Sequence, residues 1–170
     1  MINRINSTTG ALGSATHPHQ QLARLGIVLP PSPPPIANFV THIIEGNLLY
    51  LSGQGPREAD GFLHRGRVGD GVTVEEANGH ARLTGINLLS VIRDALGDLG
   101  RVKRVIKIFG MVNSVAGFAD HPKVINGCSD LFIEVFGENG SHARSAVGLA
   151  SLPGNITVEI EAMLAIHHEP

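Results

Sequence analysis

Arg144, Glu159 and Glu161 are the residues whose types and spacing best support chemistry in this chain of 170 residues. They lie in SHARSAVGLASLPGNITVEIE, residues 141–161, which reads as two strands joined by a tight turn at Leu152-Pro153-Gly154-Asn155. Pro pre-sets φ and Gly admits a positive φ, so this quartet between two apolar runs is a turn with a mechanism. From Ile156 the pattern alternates. Val158, Ile160, Ala162, Leu164 and Ile166 share one face with it, and Thr157, Glu159, Glu161, Met163 and Ala165 share the other. On the first strand Arg144 shares its face with Ala146, Gly148 and Ala150. A guanidinium is a planar fork suited to bidentate capture of a carboxylate, and a partly desolvated Glu can carry a proton or orient a water. An Arg beside three small residues, facing a strand with two acids, could thus be a pocket floor with charges at its rim. From pattern alone the simpler reading is an Arg–Glu pair on a solvated sheet. A second candidate is the Ser52-Gly53-Gln54-Gly55-Pro56 corner. Two glycines there allow backbone to approach a ligand or another chain closely.

The elements that must position these residues are legible along the chain. Asn38 to Glu45 and Leu48 to Ser52 read as a hairpin about Gly46-Asn47. Residues 56–72 read as loop. Thr73-Val74-Glu75-Glu76 is a capping box, and Val74, Ala77, Ala81, Gly85, Leu88, Ile92 and Leu96 follow at helical spacing, ended by Gly97. The small residues in the first half of that stripe permit close packing on a sheet. Lys103 to Asn113 reads as a long apolar strand. Asp120 and Pro122 open a second helix, with Val124, Ile125, Cys128, Leu131, Phe132 and Val135 as its apolar positions and Gly137 at its end. The order β-β-α-β-α-β-β, with helices covering one sheet face, predicts a two-layer α+β domain. It spans residues 36–170. Residues 1–35 form an N-terminal extension and lead-in: a Ser/Thr/Gly-rich stretch read as flexible, a short helix over His19 to Leu25, and the proline run 30–35.

Composition narrows the function classes. A net charge of −2, from 13 basic and 15 acidic residues, carries no electrostatic footprint for nucleic acid. One cysteine, Cys128, supports neither a disulfide framework nor a thiolate metal site, and on a helix's apolar stripe it reads as a small core residue. With no apolar run long enough for a membrane span and no signal-peptide core, a cytoplasmic protein is expected. The nine histidines include two pairs at the termini, His17/His19 and His167/His168, and the others lack the i, i+4 spacing of helix-borne ligands, so no metal site is expected. Dinucleotide, P-loop and serine-hydrolase motifs are absent. Sparse charge and abundant small apolar residues point to surface buried against copies of the same chain.

GNLLYLSGQGP, VINGCSDLF, and HARSAVGLASLP followed by TVEIEAML together resemble the Rid family of YjgF-type enamine/imine deaminases. The similarity runs from about Ile36 to Ile166. It rests on an SGQ after a GN turn and on an Arg followed fifteen residues later by the Glu of an E-I-E-A strand. Residues 1–35 resemble a longer subgroup often labelled endoribonuclease-like or translation-inhibitor-like. The resemblance implies a chorismate-mutase-like fold, a homotrimer with a central barrel, and sites in clefts between subunits. It implies hydrolysis of 2-aminoacrylate-type enamines or imines to a 2-keto acid and ammonia, with water as nucleophile and no cofactor. Arg144 would grip the substrate carboxylate, Glu159 would orient or activate the water, Gly53 would offer backbone contacts, and Asn126 would line or support the pocket. Two positions depart from the family's pattern. Phe39 stands where a Tyr is usual, losing a hydroxyl, and Ala146 stands where a Cys is common, losing a thiol and leaving room. These departures support ligand binding more firmly than the deaminase step, so a non-catalytic trimer that binds a small carboxylate is the alternative. A ribonuclease or translation inhibitor is the third reading, which the net charge disfavours.

Overall fold

The computed structural model describes residues 17–35 and 37–167. Its elements are α1 (Pro18–Arg24), β1 (His42–Glu45), β2 (Leu48–Gln54), β3 (Arg67–Val68), β4 (Gly71–Val72), α2 (Val74–Leu96), β5 (Val102–Asn113), α3 (His121–Phe136), β6 (Ala143–Leu149) and β7 (Val158–Ile166). The main sheet has the order β1-β2-β7-β5-β6. This is the expected α+β arrangement, preceded by the short helix expected over His19 to Leu25, which runs from Pro18 to Arg24, and with a two-stranded β3-β4 ribbon added to it. The ribbon lies within the segment read as loop, where each strand is only two residues long and carries no periodicity to find.

Local sequence accounts for the element ends. Thr73 Oγ1 accepts from Glu76 N–H at 3.1 Å and the Glu76 carboxylate accepts from Thr73 N–H at 2.8 Å, closing the capping box of α2. Gly97 and Gly137 occupy the C-caps of α2 and α3 with positive φ. The Gly46-Asn47 turn joins β1 and β2 as the predicted hairpin, with Glu45 opposite Leu48. The strand begins at His42 rather than Asn38, because the chain bends at Asn38, Phe39 and Thr41.

Both long helices cover the same sheet face. Val158, Ile160 and Leu164 of β7 and Val105, Ile108 and Val112 of β5 are fully buried among Leu88, Ile92, Ile125 and Phe132 of the helices. The small residues of α2 serve its partner helix rather than the sheet alone. A Cβ at Gly85 would meet Leu131 and Cys128, and one at Gly127 would strike the Asn78 carbonyl, so α2 and α3 cross closely at these two glycines. Cys128 is fully buried as a core residue, and burial pushes its thiol up to about 12. The alternate residues of β7 and β5, among them Glu159, Glu161, Met163, Lys107, Phe109 and Met111, point to a face that no helix among the described residues covers.

The hairpin reading of residues 141–161 is corrected by the topology. β6 does not pair with β7; it runs parallel to β5, while β7 runs antiparallel on the other side of β5. A strand reached from β5 through a helix lies parallel to it, since α3 must cross the sheet between them. The Leu152–Asn155 quartet is a turn, with Asn155 at φ 57°, but it carries the chain over the end of β5 instead of closing a hairpin. Asn113, the last residue of β5, holds this crossing: its Nδ2 donates to Asn155 Oδ1 at 2.9 Å and its N–H to the Thr157 carbonyl at 2.9 Å.

The N-terminal segment lies against the body. Leu22 of α1 is buried and belongs to the core cluster, and Arg93 of α2 donates to the Leu29 and Pro30 carbonyls at 3.2 and 2.9 Å. Of the stretch expected to be flexible, residues 1–18, residues 1–16 lie outside the described residues, and Pro18 opens α1.

Candidate functional site

Arg144 sits on the edge strand β6, in register with Ile108 of β5. Ile108 faces the helices, so Arg144, Ala146 and Gly148 face them too. Arg144 Nη1 donates to Asn126 Oδ1 at 2.8 Å and to Ser129 Oγ at 3.0 Å, both on α3. Residues three apart share a helix face, which is why Asn126 and Ser129 meet the same nitrogen. Behind Ser129 stands His142, with Nε2 at 3.0 Å from Ser129 Oγ and Nδ1 at 2.6 Å from the Gly140 carbonyl. A carbonyl only accepts, so Nδ1 carries the proton and Nε2 accepts from the Ser129 hydroxyl. Burial holds the His142 imidazole below its usual range, and Arg144 adds to this, which keeps the ring neutral in that role. The relay uses both protons of Nη1. Among the described residues no acceptor is recorded for Nε or Nη2, the two nitrogens that form a carboxylate-binding fork.

Glu159 belongs to a different surface. It lies on the uncovered face of β7, half-buried against Gly53 of β2, where a Cβ would run into its carboxylate. Burial first, and Glu161 second, raises its carboxyl above the usual carboxylate range. The register between β2 and β7 slips between Leu51 and Gln54, so a bulge places Gly53 there. Asn87 of α2, almost wholly buried, fixes the corner by donating to the Gly55 and Arg57 carbonyls at 3.0 and 2.9 Å. Ser52 Oγ donates to the Val40 carbonyl at 2.6 Å, which ties the segment carrying Phe39 to the same corner. Phe39 itself is 42% exposed.

The sequence-predicted residues therefore fall into two groups. Arg144, Asn126 and Ala146 lie on the helix side of the β6 edge, while Glu159 and Gly53 lie at the uncovered face, with Phe39 tethered beside them. One chain does not bring the two groups together, and the Arg–Glu pair imagined across a hairpin does not form, because β5 separates the strands. Two residues missed from sequence complete the arginine half. Ser129 was signalled by its spacing from Asn126, and His142 by its position two residues before Arg144. Two cavities among the described residues lie apart from Arg144 and Glu159. A cleft of about 400 Å³, lined by Arg67, Ser114, His121 and Gly148 among others, opens four residues along β6 from Arg144. A smaller one of about 160 Å³ lies on the uncovered face between Tyr50, Lys107, Phe109 and Glu161.

A sheet with two long helices on one face, an edge-strand arginine anchored to the second helix and a glutamate against a bulged SGQ corner defines the chorismate-mutase-like class. Residues 19–162 match the model of the family described as "YjgF/chorismate_mutase-like, putative endoribonuclease". The chain belongs to this YjgF/Rid family. It is 43% identical over 148 residues to Protein TCP17 of Trypanosoma cruzi, covering 86% of this chain and 92% of that one. A crystal structure of a protein of unknown function from Agrobacterium tumefaciens superposes with a TM-score of 0.82 at 46% identity, covering 88% and 92% of the two chains. A Shewanella oneidensis structure carrying the same endoribonuclease description gives 0.86 at 30% identity, covering 89% and 100%. RidA from an Antarctic Psychrobacter shares the fold, at a TM-score of 0.57 and 24% identity over 79% and 94%.

Proposed function

We propose that this chain is an enamine/imine deaminase whose site is assembled between copies of itself. The observation that carries the reading is the division of the candidate residues into two incomplete halves on opposite sides of the sheet. Arg144 presents an unused fork on one surface, and Glu159 a half-buried carboxylate on another. A second copy supplies what each half lacks. A contact between two unlike surfaces is heterologous, and it closes into a ring when the rotation allows, which suits the homotrimer of the family. The uncovered sheet face and its flank support the assembly, since Phe39, Val40, Ile43, Ile44 and Tyr50 are exposed there.

In this reading the Arg144 fork takes the carboxylate of a 2-imino acid, formed when a 2-aminoacrylate-type enamine accepts a proton at its methylene carbon. A water adds to the imine carbon, and Glu159 of the neighbouring copy accepts its proton. The raised affinity of this carboxylate for protons suits it to that step. Glu159 then returns the proton to the nitrogen and takes the one on the new hydroxyl as the carbonyl forms and the C–N bond breaks; ammonia and a 2-keto acid leave, and Glu159 gives its last proton to solvent, matching the one the enamine took up. The small-carboxylate-binding alternative draws on Phe39 and Ala146, which offer neither hydroxyl nor thiol at the pocket. A net charge of −2 leaves RNA as the least suited substrate.

The test is a coupled assay in which a pyridoxal-phosphate lyase generates 2-aminoacrylate and keto-acid release is followed with wild type and Arg144→Ala. Release faster than the spontaneous rate, lost in Arg144→Ala, is the expected result. Binding of 2-keto acids that requires Arg144, without any acceleration, would replace the deaminase with the carboxylate-binding reading.

A further inference from the structure

We propose that His17, His19 and Asp98 form a binding site for a divalent transition-metal ion of Zn²⁺ type, which fastens α1 to the junction between α2 and β5. Sequence spacing set the two histidines aside as solvated terminal residues. The fold brings a carboxylate to them from far along the chain.

His19 Nε2 lies 3.1 Å from Asp98 Oδ1 and His17 Nε2 lies 3.8 Å from the same oxygen. All three donor atoms fall within 4.8 Å of one another. Tetrahedral zinc, with ligands at roughly 2.0–2.1 Å, separates neighbouring donors by about 3.3 Å, so small side-chain rotations convert the cluster into a chelate. The imidazoles are already aligned, stacked with centroids 5.3 Å apart and planes 18° from parallel. Two imidazoles and a carboxylate are the borderline donor set that zinc and its neighbours accept, and water completes the shell at side chains that stay about half exposed.

Two features show that the cluster is built. Asp98 Oδ1 also accepts the Gly100 N–H at 2.7 Å, which orients the carboxylate as an outer-shell hydrogen bond does in metal sites. Residue 100 also carries no side chain: a Cβ there would lie 2.5 Å from His17 Nε2 and would push that ring out of the cluster. The mechanical consequence follows from how thinly α1 is held. Leu22 is its one buried side chain, so a metal bridge between His17/His19 and Asp98 adds a clamp where packing supplies little. Binding to the folded state alone stabilises it by mass action.

The experiment uses the untagged full-length chain, titrated with Zn²⁺ against a chromophoric chelator, with hydrogen exchange of the α1 amides followed in parallel. The expected result is one equivalent per chain and slower exchange across Pro18–Arg24 on adding zinc. His19→Gln and Asp98→Asn each weaken binding about tenfold or more, while His42→Gln leaves it unchanged. The side-chain carbonyl introduced by Asp98→Asn still accepts the Gly100 N–H, so that variant keeps the turn and isolates the metal contact. Absence of a stoichiometric site, unchanged affinity in both variants, or binding lost only in His167→Gln would overturn the proposal. Zinc binding that leaves α1 exchange unaltered would overturn the clamp.

Discussion

Gly53→Ala separates the fold of this protein from its chemistry. A Cβ at residue 53 would overlap the Glu159 carboxylate and reach its Cγ. The obstacle is the far end of a flexible side chain, so the backbone can stay and Glu159 must swing away. Gly53 has an ordinary φ, so an alanine there restricts the unfolded chain and gains about 0.4–1 kcal/mol. Moving Glu159 off its preferred rotamer costs about 0.5–1.5 kcal/mol. The two nearly cancel, and the melting temperature stays close to that of wild type. The proposed catalysis does not escape in the same way. Displacing an acid–base group by about 1 Å costs on the order of 100-fold, or about 2.7 kcal/mol of transition-state stabilisation. The assay is steady-state keto-acid release by wild type, Gly53→Ala, Glu159→Ala and the double variant. Acting only through Glu159, the Gly53 change should cause no further loss once that carboxylate is gone. A fully active Gly53→Ala, or an equal loss in both backgrounds, would refute this assignment of Gly53 and Glu159.

Other substitutions test the remaining parts. Ser129→Ala breaks the relay between His142 and Arg144 and leaves polar groups short of a partner, at a cost of about 1–3 kcal/mol; urea unfolding should show this, with a raised KM as Arg144 loses its anchor. Because burial and Glu161 raise the Glu159 carboxyl, the folded state favours its protonated form. That stabilisation is full below the unfolded pKa and is lost as pH rises through the folded one. Glu159→Gln should therefore raise the melting temperature at neutral pH, with the gain closing near about pH 4. Val158 is fully buried beneath the helices, so Val158→Asp should unfold the protomer, costing roughly 4 kcal/mol or more. Phe109→Asp, on the uncovered face, should leave the circular dichroism intact and shift sedimentation from the proposed trimer to monomer.

What the sequence made legible was local. The Thr73/Glu76 box, the Gly97 and Gly137 stops and the Gly46-Asn47 hairpin each depend on a few adjacent residues, and each stands where the pattern placed it. Alternation along β7 and the shared face of Arg144, Ala146 and Gly148 were also readable, because pleating has a fixed period. Which strand lies beside which was not. β6 and β7 are neighbours in sequence, yet β5 lies between them, because α3 forces a parallel crossover that no dipeptide announces. For the same reason Arg144 and Glu159 could be named as candidates but not placed on opposite sides of the sheet. Asp98 beside His17 and His19 is the extreme case: His19 lies 79 residues earlier in the chain, and only the docking of α1 joins them.

Subunit mixing asks whether Arg144 of one copy works with Glu159 of another. Arg144→Ala and Glu159→Gln chains, each inactive alone, would be denatured together, refolded as mixed oligomers and assayed for keto-acid release. Activity should return in the mixture, since some clefts then pair an intact Arg144 half with an intact Glu159 half. Mixed oligomers, verified by mass, that stay as inactive as either parent would contradict it and place the site within a single chain.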